Sequence, residues 1–214
     1  MRGRGFTLIE VLVATALLAA GLALAFATLR AATATVERGE QMARYSERVR
    51  AVDGFLRRRL ASAHSAVFEV DERTGQAARF IGEADRIRFV SDLPPYLGHG
   101  GPALHDVAVV RGRDGVRLEV SFATVLAGQT WPDDPPRAPE PLAEDLRSVR
   151  LSYRGLDREG ALTGWLSQWP DPSQLPVQVR IEIEDEREGP WPTLVVSLVQ
   201  GQGRLDGAAQ ELGL

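Results

Sequence analysis

GFTLIEVLVATALLAAGLALAFATLR, residues 5–30, decides how the rest of this chain is read. From Phe6 to Leu29 the run is apolar except for Thr7, Glu10, Thr15 and Thr28. As a helix, at about 1.5 Å per residue, it reaches roughly 36 Å, enough to cross a hydrocarbon core of roughly 30 Å. Arg2 and Arg4 precede it and Arg30 closes it. The basic N-terminal flank predicts that the N-terminus stays cytoplasmic and that everything after Arg30 lies across the membrane. Glu10 does not belong in such a run without compensation: an acidic residue at the centre of a membrane helix costs roughly 2.5–3.5 kcal/mol. A secretory signal peptide, ending near Ala25-Phe26-Ala27, has a shorter apolar region of about 7–15 residues and no use for the acid. A plain single-pass anchor fits the length and leaves Glu10 unexplained.

Gly5-Phe6-Thr7-Leu8-Ile9-Glu10, followed by the unbroken apolar run, resembles the processing site of type IV prepilins and type II secretion pseudopilins. The resemblance implies a leader, residues 1–5, cut between Gly5 and Phe6 by a membrane prepilin peptidase, with N-methylation of Phe6. It also implies a role for Glu10 in fibre assembly, as the counter-charge for the terminal amine of a neighbouring subunit. Glu10 then stands four residues from the new terminus, on the same helix face, and in the first turn, where the helix dipole favours an anion. Two charges that are costly apart in lipid become tolerable together. The pairing would set the offset between stacked helices.

The helical pattern continues past Arg30. Between Ala31 and Ala63 there is no proline, and Tyr45, Val49, Val52, Leu56 and Leu60 follow helical spacing as one apolar stripe. Arg57-Arg58-Arg59 reads as a solvated helix end, where basic residues suit the dipole. After Ala63 the period changes to two. Arg86–Val90, Val107–Val110 and Val116–Phe122 alternate, the last two flanking Gly112-Arg113-Asp114-Gly115 as a hairpin. Val149–Tyr153, Val177–Glu184 and Thr193–Val199 read as further strands, the last two an antiparallel pair, with a short helix expected near Leu142–Arg147. Trp131–Pro141 carries five prolines and must be a surface loop. The fold class expected is α+β and pilin-like: a long N-terminal helix, transmembrane then amphipathic, packed on a mainly antiparallel β-sheet. The expected segments are the leader 1–5, the membrane helix 6–29, its amphipathic continuation 30–63, a periplasmic β-rich domain 64–206 and a tail 207–214.

The arginine-rich stretch near 44–60, the strand at 149–153, Trp165-Leu166-Ser167-Gln168-Trp169 and Leu175-Pro176-Val177-Gln178-Val179 are together similar to the type II secretion minor pseudopilins of the J type. That resemblance implies an inner-membrane protein with a periplasmic domain. It would join I-type and K-type minor pseudopilins and the major pseudopilin at a fibre tip, helping folded proteins across the outer membrane. A minor type IV pilin, acting in pilus initiation, adhesion or DNA uptake, shares the same plan and is the alternative.

Composition narrows the chemistry. The chain of 214 residues has a net charge of −4, too mild to argue for nucleic acid, and no cysteine, which removes disulfides, thiol nucleophiles and thiolate metal sites. All 25 of its basic residues are arginine. His64, His99 and His105 show no metal-ligand spacing, and His99 and His105 read as water-exposed residues of the loop around Gly98–Pro102. Glu182, Glu184, Asp185, Glu186 and Glu188 could attract calcium, but alternation puts Glu182 and Glu184 on a solvated strand face without the glycine-punctuated spacing of a calcium loop. No catalytic residue, metal site or cofactor is therefore expected, and the chain reads as an assembly protein rather than an enzyme. Trp131, Trp169 and Trp191 each precede a proline, at a loop or a strand start; the expectation is core packing, with some tryptophans available to a partner.

Overall fold

In the computed structural model the described residues are 7–93, 100–112, 115–131, 135 and 137–199. The Gly5–Phe6 site, His99, the hairpin turn at Arg113-Asp114 and the tail 207–214 lie outside them. The chain divides into two compact units, residues 1–50 and residues 51–214.

The first unit is one helix. Helix α1 runs Leu8–Ala61 without a break, its first part carrying a mean hydropathy of 2.3 over eighteen residues. Threonine hydroxyls within it are satisfied by their own helix. The hydroxyls of Thr15, Thr28, Thr33 and Thr35 donate to carbonyls three or four residues back, at 2.9–3.0 Å. In hydrocarbon that internal bonding is what makes a hydroxyl affordable.

The second unit takes the last turns of α1, from Ala51, and all the strands. These are β1 (Glu69–Val70), β2 (Ala77–Ala78), β3 (Phe80–Gly82), β4 (Arg86–Leu93), β5 (Gly101–Gly112), β6 (Gly115–Leu126), β7 (Gln129–Trp131), β8 (Glu140–Arg154), β9 (Gln178–Asp185), β10 (Gly189–Pro190) and β11 (Leu194–Ser197). The main sheet is antiparallel, in the order β10-β9-β8-β6-β5-β4-β3, with β11 also on β9 and β7 on β6. β5 and β6 pair through to Gly112↔Gly115, and β9 pairs with β11, as their alternating sequences predict.

Period-two burial covers both faces of the β4–β5–β6 region. On one face Ile87, Phe89, Ser91, Ala103, His105, Val107, Leu118 and Val120 are buried. The helix end lies on this side, since the Ser62 hydroxyl bonds that of Ser91 at 2.7 Å, and Val52, Leu56 and Leu60 are the buried stripe of α1. On the opposite face Val90 and Leu104 pack with Phe68 and Ala78, beneath the small β1–β2 ribbon.

The sheet curls until its β3 end meets β8. Tyr153, fully buried, donates from its hydroxyl to Glu83 O at 2.7 Å and sets its ring edge-on to Phe80. The segment after β8 seals the same seam. Pro172 O accepts the amides of Arg79 and Phe80, at 2.7 and 3.1 Å, and Trp169 N donates to Gly82 O at 2.8 Å. Two glycines permit this approach. A Cβ on Gly82 would lie 2.7 Å from the Tyr153 ring, and one on Gly155 2.6 Å from the Trp169 ring.

Three expectations are corrected. No helix forms at Leu142–Arg147, which is the first half of β8. Register shifts there, two against β6 and one against β9, put Ala143, Leu146 and Val149 on the buried side at intervals of three. That interval imitates a helix in sequence. Arg57 and Arg59 are not merely solvated: each donates to a backbone carbonyl of the sheet, of Val195 and Asp92 respectively. His105 is not a loop residue in water but a buried member of β5.

His105 sits in a cross-strand row, stacked on Phe89 at 5.2 Å and edge-on to Phe122 at 5.1 Å. Its Nδ1 donates to Ala103 O at 3.0 Å, while Nε2 has no partner among the described residues. Burial pushes the imidazole down to about 4, and the positive fields of Arg59 and His64 act in the same direction. The unfolded chain takes up that proton near pH 6.5. The folded chain resists it until pH falls to about 4. Stability therefore drops as pH falls through that window, by about 3 kcal/mol at most. Urea unfolding of the full chain in detergent should show this loss, and His105→Leu should flatten it. Parallel pH profiles in the two proteins would refute the assignment.

Candidate functional site

The helix start is built as a reciprocal cap. Thr7 stands just before α1 and Glu10 three residues on, the T-x-x-E spacing of a capping box. Glu10 Oε2 accepts both the Thr7 amide and the Thr7 hydroxyl, each at 2.9 Å, and the Glu10 amide reaches Thr7 Oγ1 at 3.4 Å. Amides at a helix start have no carbonyl to bond within the helix, and in lipid no water takes their place. Glu10 answers that need with one oxygen.

Its other oxygen, Oε1, has no partner among the described residues. The carboxylate is thus held at the helix start by its own chain through one oxygen. Glu10 is exposed, like its neighbours Leu8, Ile9, Val11 and Leu12. The reading of Glu10 from sequence missed Thr7, although the capping-box spacing was there to be read.

The other candidates have structural occupations. Glu182 lies 3.8 Å from Arg150 and 3.6 Å from Arg180, and Glu184 accepts from Arg147 at 3.0 Å. Asp185 Oδ1 closes a turn by accepting the amides of Arg187 and Glu188. Among the described residues no three His, Asp or Glu side chains converge as a metal site. Of the tryptophans, Trp191 is buried, Trp169 seals the curl and Trp131 is exposed. The guanidinium groups of Arg154 and Arg180 both lie over the Trp165 ring, 4.5 and 4.6 Å from its centre, a contact that the sequence does not announce.

Comparison with known proteins follows these features. A profile described as the prokaryotic N-terminal methylation motif matches residues 1–26. Over 203 residues the chain is 48% identical to type II secretion system protein J of Xanthomonas campestris pv. campestris, covering 94% of this chain and 96% of that protein. Among solved structures, it matches the crystal structure of the GspK-GspI-GspJ complex from the enterotoxigenic Escherichia coli type 2 secretion system. There the TM-score is 0.46 at 18% identity, covering 73% of this chain and 98% of that chain.

Proposed function

We infer the work of this protein from one premise: the chain belongs to the J-type minor pseudopilins of the type II secretion system. The near-complete coverage at 48% identity decides between this family and the minor type IV pilins. It is a membrane-anchored structural component of the secretion machinery, held by its N-terminal apolar helix.

The finer steps are our proposal. Prepilin peptidase cuts between Gly5 and Phe6, releasing residues 1–5, and Phe6 is N-methylated. Residues 6–29 span the inner membrane and 30–63 continue the helix. Residues 64–206 form the periplasmic domain, and 207–214 trail from it. The subunit then joins I-type and K-type minor pseudopilins and the major pseudopilin at the tip of a short fibre. It does so without catalysing a reaction of its own. Glu10 is the assembly residue: one oxygen bound by Thr7, the other offered to the methylated amine of a neighbour. The Thr7–Glu10 cap, which holds the carboxylate by one oxygen at the helix start, is the single observation that carries this role.

The test is complementation. In a strain lacking its own J subunit, the full chain should restore export of folded proteins and co-purify with the I and K subunits. Unrestored export together with no complex would defeat the proposal.

A further inference from the structure

Two arginines near the end of α1 reach opposite margins of the sheet. Positions 57 and 59 point to nearly opposite sides of a helix, since each residue turns it by about 100°. Arg57 is aimed by Asp53, whose carboxylate it grips at 3.3 and 3.4 Å, and its Nη1 donates to Val195 O of β11 at 3.3 Å. Arg59 Nη1 donates to Asp92 O of β4 at 2.6 Å.

Both acceptors stand on strand edges. β3 covers β4 only over Ile87–Phe89, so the carbonyls of Val90 and Asp92 face away from β5 with no strand beyond them among the described residues. The His64 amide takes the Val90 carbonyl at 3.1 Å, and Ser62 bonds Ser91 beside it. β11 pairs with β9 on one side only. An open edge needs covering, by charge or by another element. Here both coverings come from the end of the same helix.

We propose that Arg57 and Arg59 are positioning residues that lash the end of the stem helix to both edges of the sheet, so that a pull on the helix moves the domain instead of peeling the helix away. The proposal rests on the reading that the subunit joins a fibre, and it adds that α1 carries load as it does so. Apolar contacts of Val52, Leu56 and Leu60 hold the helix down but are non-directional. The two arginines add directional bonds at two margins. Arg58 between them folds back over Gly54, at 3.0 Å from where its Cβ would stand, and contributes no such bond.

Hydrogen exchange on the full chain in detergent micelles tests the clamp. In Arg57→Gln/Arg59→Gln the amides of residues 55–64 and 90–93 should exchange about tenfold faster, the loss of charged-donor bonds having that order of effect, while β5, β6 and β8 stay protected. Arg59→Lys, which keeps a charged donor, should recover most of the protection. In the secretion strain the double glutamine variant should accumulate as mature protein and export poorly. Should the double variant fail to fold, Arg59→Gln alone, which removes the 2.6 Å bond, is measured in the same way. Unchanged exchange would overturn the clamp, and faster exchange with full export would overturn its part in transport. A wild-type chain that restores no export would count against the secretion reading, while exchange still decides the clamp.

Discussion

A chain carrying Gly5→Trp should accumulate in the membrane with its leader attached and enter no fibre. The expectation follows from what must happen at the Gly5–Phe6 bond. A peptidase working at the membrane surface has to draw an extended backbone close to its reacting groups, and glycine alone presents no Cβ there. Uncut, Phe6 remains an amide nitrogen. No methylated ammonium forms, and the subunit lacks the cation it must offer to a Glu10-type acceptor. The cationic half of the pairing is thereby lost to its neighbour, although Glu10, the helix and the domain are untouched. Mass spectrometry separates the outcomes. The wild type should begin with methylated phenylalanine, and the variant should keep residues 1–5. A Gly5→Trp chain that matured normally would remove the cut site from the account.

How much of this could be read in the sequence varied with how few alternatives the physics left. The N-terminal run was legible because lipid tolerates few sequences and a lone carboxylate in it demands a reason. β9 was legible because Gln178–Asp185 alternates strictly, buried against half-exposed. β8 was half lost, since its bulges give Ala143, Leu146 and Val149 a helical interval. His105 was misplaced because glycine and proline at 98–102 suggest a loop that would extend further than it does; β5 begins at Gly101 and takes the histidine into the core between two phenylalanines. The arginines of α1 were illegible for another reason. A guanidinium that ends in water and one that ends on a strand carbonyl leave the same letter in the sequence, and only the curl of the sheet brings Val195 and Asp92 within reach.

Replacing Glu10 by glutamine should leave insertion and cleavage intact but reduce incorporation into the fibre about a hundredfold. This variant separates two duties that alanine would confuse. Glutamine still serves in a capping box, so the Thr7 amide and hydroxyl keep an acceptor. What disappears is the negative charge. Removing one member of a buried charge pair typically costs about 3–5 kcal/mol, because its partner is stranded. Exposure near the membrane boundary reduces that figure, and about 2.7 kcal/mol corresponds to the hundredfold loss. Thr7→Ala makes the opposite cut. It keeps the charge and removes a cap, worth about 1 kcal/mol, so incorporation should fall only about fivefold. The chain contains no cysteine, so a single introduced pair across neighbouring helices can report incorporation by disulfide yield without background. If Thr7→Ala proved as damaging as Glu10→Gln, the cap would be the essential feature and the intersubunit pairing would have to be abandoned. If Glu10→Gln assembled like the wild type, the carboxylate would have no register role at all.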